Sequence, residues 1–348
     1  MPPKTPLSRP QHLLAALAIL LATALAAGCG TSTAAVAKAP KDQVRQLRYQ
    51  GATNTVTLPE LAADLGFLGD VTLKWVGNTI SGPQDIQSAA TGQTEFGSAF
   101  DGAIVKLQAA GAPIKSVVTS YGADAKVFQG YFVLNGSPIH TARDLIGKKV
   151  GVNTLGAHLE AVLDNYLKAN GLSDKEIRSV ELVVIPPINA EQALRQHQID
   201  VAVLNGVLQD TAVTRGGVRL LFSDYQALGA FNGGSYVFTR RFLTENPDTV
   251  RTFVSGVAKT IEWTKSTPRA EVVAHLTRII SSRGRNESTA NLRFWKSASV
   301  AATGGVIAPV DFTRWLGWLQ TNDHLDTSKL DVNTLYTNEF NPYAKASS

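Results

Sequence analysis

The chain has a single cysteine and a single methionine among its 348 residues. One thiol excludes a disulfide framework, a multi-cysteine zinc site and a CxxC redox pair. Charge is sparse too: 18% of residues are Asp, Glu, Lys or Arg, and 33 basic residues stand against 28 acidic ones. The net charge of +5 becomes 31 − 28 = +3 once Lys4 and Arg9 are assigned to a removable leader. So mild an excess, with no Lys/Arg cluster, gives no reason to expect nucleic acid as a partner. The sequence contains no GxSxG elbow, Walker loop, GxGxxG fingerprint or HExxH pair. Its six histidines are scattered, so neither a metal centre, nor a cofactor, nor an enzymatic activity is expected. What remains is an apolar chain, 44% hydrophobic, that should fold as one large domain or as two lobes with sizeable cores.

The N-terminus reads as an address. Residues 1–12 carry Lys4 and Arg9 without an acid, and residues 13–27 form an apolar run of 15 residues, below the ~20 that a membrane-spanning helix needs. This is a signal-peptide pattern, assigned to residues 1–28. Cys29 directly follows Ala26-Ala27-Gly28, which resembles a bacterial lipobox, so Cys29 is the expected lipidation site. Residues 29–44 are small and polar and are expected to form a flexible tether that holds a folded domain against the cell membrane.

From residue 45 onward, short apolar runs alternate with helical periodicities, the pattern of parallel or mixed sheets covered by helices. Strands are expected at 47–51, 71–76, 94–100, 116–122, 130–135, 148–154, 181–186, 200–205, 217–222 and 235–240. The C-terminal part is expected to be mostly helical, at 247–266, 268–282, 287–299 and 310–320. Two glycine-bearing stretches, 130–137 and 228–237, suit hinge crossings. Lobe 1 is then expected to comprise 45–132 and 237–345, and lobe 2 133–236.

In open α/β sheets a ligand lies beyond the carboxyl ends of strands, where helices begin and present unpaired N–H groups. The loops there are rich in small, hydroxylated and amide side chains: Gln50 to Thr55, Asn78 to Gln84, Phe100-Asp101, Tyr121-Gly122, Asn153 to His158 and Asn205-Gly206. Such donors favour a small oxyanion, although each residue also serves ordinary capping and turn geometry. Asp101 is placed either to cap the following helix or to face the cleft, where it would welcome a cationic group on the ligand. His158 is placed to donate to an anion from a first helical turn. Trp75, Phe100 and Tyr121 offer stacking surfaces for an alternative ligand, a heterocyclic nutrient such as a pyrimidine or flavin precursor.

Five stretches together resemble one known family: GPQDIQSAATGQTEFGSAFDGAIVKLQAAGAPIKSV at 82–117, SPIHTARDLIGKKVGV at 137–152, TLGAHLEAVLDNYLKANGLS at 154–173, AEQALRQHQIDVAV at 190–203, and VDFTRWLGWLQTNDHL with YTNEFNP near the end. They are similar to the substrate-binding proteins of ABC importers for aliphatic sulfonates, taurine, nitrate and bicarbonate, a superfamily that includes thiamine-precursor binders. The resemblance implies a class II periplasmic-binding-protein fold, α/β, with two lobes, two hinge crossings and a ligand enclosed on closure. It also implies a monomer that hands its ligand to a membrane permease driven by a separate ATPase. Residue by residue it carries over Gln50, Thr53, Asn54, Gly82, Asp101, Thr154, Gly156 and His158. Asn205-Gly206-Val207 and Thr154-Leu155-Gly156 depart from the sulfonate binders' usual sequences at two pocket positions, so the ligand class stays open.

Overall fold

The computed structural model of the protein describes residues 43–79 and 81–344. The expected signal segment, Cys29 and nearly all of the tether lie outside the described residues. In chain order the elements are β1 (Gln46–Gly51), α1 (Leu58–Asp64), β2 (Thr72–Asn78), α2 (Gly82–Ala90), β3 (Phe96–Phe100), α3 (Asp101–Ala109), β4 (Ile114–Ala123), β5 (Gln129–Leu134), β6 (Lys149–Val152), α4 (His158–Ala169), α5 (Asp174–Ile177), β7 (Glu181–Val184), α6 (Pro187–Arg195), β8 (Val201–Asn205), α7 (Gly206–Arg215), β9 (Val218–Ser223), α8 (Asp224–Leu228), β10 (Phe231–Thr239), α9 (Arg240–Glu245), α10 (Pro247–Ser266), α11 (Arg269–Ser282) and α12 (Pro309–Asn322).

Three sheets result. β1 and β2 pair in parallel, β10 lies antiparallel between β3 and β4, and five strands run in the order β7-β6-β8-β5-β9. In the last sheet β6 is parallel to β7 and β8, while β5 is antiparallel to β8 and β9. The near-continuous apolar reading of β8 and β10 fits burial on both faces: Val201–Leu204 and Phe231–Phe238 are all buried. The two-lobed α/β expectation holds, with the crossings displaced. Residues 130–135 are not a crossing, because alternate packing of Tyr131, Phe132 and Val133 makes them a buried strand inside the five-stranded sheet. The chain passes between sheets at 124–128 and returns through 224–230, so the expected boundaries at 132/133 and 236/237 fall within β5 and β10.

Local signals explain most element ends. Thr57 and Glu60 form a capping box before α1, with Pro59 in its first turn. Thr141 and Asp144 form another before a 3-10 turn at Ala142–Leu145. One helix expected at 287–299 is absent: a short 3-10 turn, Ala290–Phe294, gives way to an extended segment in which Ser299 has φ +51°, a left-handed conformation that interrupts any helix. Trp295 and Leu292 instead pack with α11 and Leu61.

One apolar cluster joins the two parts of the fold. Phe100, Phe312, Trp315 and Trp318 pack with Val162, Leu163, Tyr131 and Phe222 across β3, α12, α4, β5 and β9. Each fully buried large side chain there contributes roughly 1.5–3 kcal/mol. Close approach of β4 to β10 depends on glycine: a Cβ on Gly122 would overlap the carbonyl oxygen of Phe231. Among the described residues no helix is long and apolar enough to cross a membrane.

Candidate functional site

Two cavities, of about 300 and 450 Å3, share Tyr121, near the carboxyl end of β4, in their walls. The smaller one is walled by Gln50 from β1, Asp85 from α2, Ser98 from β3, Ser120 from β4 and Ser297 from the extended segment, over Leu58, Leu61, Phe96 and Leu276. The larger one is walled by Gln129, Asn153, His158, Asn205 and Ser299, with Val152, Leu159, Ile185 and Val203 beneath them. No Lys or Arg lines either cavity among the described residues. The polar groups that line them are neutral hydroxyls, amides and an imidazole, the first turn of α4, and the Asp85 carboxyl group.

His158 opens α4 and is almost fully buried. Its ring stacks on Phe100 at 5.3 Å between centroids with 9° between planes, and Trp315 and Phe231 abut its edges. Burial pushes the imidazole pKa down to about 4, so at neutral pH it is an uncharged group that can donate or accept. Its Nε2 has no hydrogen-bond partner and lies 3.6 Å from Asp224 Oδ2. Burial raises Asp224 to about 7 against the opposing backbone N–H groups of Gln129 and Tyr225. Tyr121 is likewise held protonated, chiefly by its burial.

The structure brings some sequence-expected residues together and disperses others. Gln50, Tyr121, His158 and Asn205 line the cavities. Phe100 lies behind His158 as a stacking support rather than on a cavity surface. Asp101 neither caps α3 nor faces the cleft: Phe100 occupies the N-cap position, and the Asp101 side chain is fully buried, accepting a 2.7 Å hydrogen bond from Ser235 Oγ. It turns inward because β10 passes directly beside the end of β3.

Asn54, at φ +61°, is committed to the loop after α11: its N–H donates to Glu287 and its Oδ1 accepts from Ser288 N–H. Thr53 accepts from Asn78 Nδ2 on the exposed rim. Gly82 begins α2 where a Cβ would come within 3.0 Å of Ala99 Cα, so its part is close packing of helix on strand. Thr154 lines neither cavity. Gly156, at φ +65°, lies against Lys106 of α3 and donates its N–H to Glu160. Trp75 is covered by the guanidinium of Arg285, 4.4 Å above its ring, and donates to Asn78 Oδ1.

Sequence reading missed Asp85, Ser98, Ser120, Gln129, Ser297 and Ser299. Asp85 had a readable signal, since it sits beside Ile86 and four before Ala89 on the apolar face of an amphipathic helix. Ser297 and Ser299 had none, because an assumed helix over 287–299 hid them. Several contacts link the two parts of the fold around the cavities. Lys296 Nζ lies 2.6 Å from Asp210 Oδ1 on α7, and Ser297 Oγ donates to Asp124 at 2.6 Å. On the opposite side, Trp318 Nε1 donates to Asp164 and Asn322 Nδ2 to Glu160 of α4.

A family model described as "NMT1/THI5 like" matches residues 61–271. A protein of Escherichia coli (strain K12) named "Putative aliphatic sulfonates-binding protein" is 27% identical over 256 residues, 72% of this chain and 75% of its own. The solved periplasmic aliphatic sulphonate binding protein SsuA from Escherichia coli superposes with a TM-score of 0.64 at 21% identity, over 84% of this chain and 92% of that one. The periplasmic nitrate-binding protein NrtA from Synechocystis PCC 6803 gives a TM-score of 0.64 at 12% identity, over 85% and 87%. At those identities the two solved structures speak for the fold, a periplasmic-binding-protein architecture.

Proposed function

The chain belongs to the NMT1/THI5-like family, and from that premise we propose that it is the extracytoplasmic solute-binding component of an ABC importer. It captures a small anionic or zwitterionic solute, aliphatic sulfonate-like, between two lobes and delivers it to a membrane permease powered by a separate ATPase. The observation that carries this reading is the pair of cavities sharing Tyr121, lined by neutral donors from all three sheets and by the first turn of α4. Helix N-terminal amides and uncharged donors stabilise an oxyanion without a counter-cation and release it more readily than a buried ion pair would. In this reading Gln50, Tyr121, His158 and Asn205 contact the ligand, Cys29 carries the lipid anchor, the protein works as a monomer and no reaction is catalysed. The heterocycle reading is weaker, because two of its three aromatic surfaces are occupied, Trp75 by Arg285 and Phe100 by His158.

A thermal-shift screen with alkanesulfonates, taurine, nitrate and bicarbonate tests the reading. A ligand at ~100 times its dissociation constant adds about 2.7 kcal/mol to stability, and His158→Ala is expected to abolish the gain. A shift with flavins or pyrimidines and none with any anion would reject the anion reading.

Lobe closure must be favoured by contacts that exist only when the lobes meet. We assign Lys296–Asp210 that part, since the pair joins the extended segment to α7 across the cleft. Partial exposure keeps its contribution modest: Lys296→Ala is expected to weaken ligand binding by about two- to five-fold, through faster dissociation. Unchanged dissociation in stopped-flow measurements would show that the pair does not hold the closed form.

A further inference from the structure

Asp101, for which facing the cleft is one of two expected placements, is buried elsewhere, and a different carboxyl group stands at the cavity. Asp85 lines the smaller cavity from the inward face of α2 and is 7% exposed. Its Oδ2 accepts the N–H of Ser98 at 2.7 Å, while Oδ1 has no partner. Among the described residues no cationic side chain lines either cavity to neutralise it. A buried carboxyl with a free oxygen is costly unless a donor reaches it, and among the described residues none reaches Oδ1. Around it stand Gln50, Ser98 and Ser120, whose hydroxyls and amide serve a small polar group, while Phe96 and Leu276 exclude water.

At the far side of Tyr121 the arrangement has the opposite character. There the larger cavity is met by the first turn of the twelve-residue α4 and by the unpartnered, buried Nε2 of His158. Among the lining residues the two ends thus differ, a carboxyl at one and amide, hydroxyl and imidazole groups at the other, with Asp224 beside His158 but lining neither cavity.

We propose that Asp85 is the specificity-determining residue of the site and receives a protonated amine, so that the preferred solutes are zwitterions with an amino group opposite an oxyanion. This inference rests on the solute-binding reading above. An ammonium group at Oδ1 replaces the missing partner and is itself neutralised, whereas a bare alkyl anion of the same length leaves the carboxyl unsatisfied and places negative charge near it. Burial already holds Asp85 up at about 7, the cost that a bound cation removes.

The test compares two aminoalkanesulfonates, taurine and 3-aminopropanesulfonate, with ethanesulfonate and propanesulfonate by isothermal titration calorimetry on the whole protein. The expected result is at least tenfold tighter binding of the amino compounds. In Asp85→Asn, which keeps an acceptor for Ser98 N–H, that preference is expected to fall to within about twofold, with affinity for the desamino compounds retained or improved. Retained desamino binding also shows that the variant is folded. Equal affinities in the natural protein, or a preference that survives Asp85→Asn, would overturn the assignment of Asp85 while leaving the anion reading intact. Binding of none of the four sulfonates would instead reject the anion reading for sulfonates and the inference with it.

Discussion

Arg283→Ala is expected to lower the unfolding free energy by about 3 kcal/mol, the scale of removing one partner from a buried ion pair. Its guanidinium lies between two carboxylates that are themselves nearly inaccessible: Nη1 meets Glu60 at 3.0 Å, and the Nε edge meets Glu287 at 2.5 Å. Nη2 also donates to the carbonyl of Thr55 at 2.7 Å. Glu60 additionally holds Arg285 and the hydroxyl of Tyr49. Without Arg283 the Glu287 carboxylate stays buried and loses its cation. The loop at 52–57, anchored through Asn54 to Glu287 and Ser288, loses its fastening beside the smaller cavity. Arg283→Lys keeps the charge but not the planar fork that reaches two carboxylates at once, so it should fall between the two. Urea unfolding of the three proteins reads the order directly. An alanine variant within 0.5 kcal/mol of the natural protein would show that the network adds nothing to stability.

The second large effect concerns Asp101 and runs opposite to ordinary acid denaturation. Burial drives this carboxyl well above its usual range, more than the hydrogen bond from Ser235 pulls it down, and Asp311 pushes it higher. The folded protein therefore keeps a proton that the unfolded chain releases above about pH 4. With more protons bound to the folded state, stability falls as pH rises from the unfolded pKa toward the folded one. Asp85 and Asp224, each raised to about 7, add to the slope with the same sign. Asp101→Asn preserves an acceptor for Ser235 and has no proton to lose. Its stability should match that of the natural protein near pH 4 and exceed it by about 1–3 kcal/mol at pH 8, the order of burying an uncompensated charge. Parallel stability curves for the two proteins across that range would contradict the buried, protonated state.

The same inward-facing acids bear on the proposed function. Asp224 sits beside His158, and both shift toward their neutral forms in the apolar setting made by Phe100, Phe231 and Trp315. In the proposed reading, the neutral groups around His158 keep an anion from being trapped by a permanent counter-charge.

Periodicity and capping signals lie within a few residues of one another, so most strands and helices were legible in the sequence, along with the two-lobed α/β class and the family resemblance that the matched residues 61–271 bear out. Thr57 with Glu60, or Pro309 at the start of α12, need no distant partner to act. The sequence also determined what recognition could not use, because one cysteine and scattered histidines leave little for metal or thiol chemistry wherever the chain places them. Tertiary structure alone decided which loop residues meet. Gln50, Asp85, Ser120 and Ser297 are brought to one cavity by β1, α2, β4 and a segment some two hundred residues later in the chain. Whether an aspartate faces a cavity or a core depends on distant neighbours: Ser235 of β10 holds Asp101 in the core, while Asp85, held by the Ser98 N–H of β3, lines a cavity. Local propensity carries no record of such neighbours, because long-range packing and the cost of unpaired buried groups are settled only when the sheets close on each other.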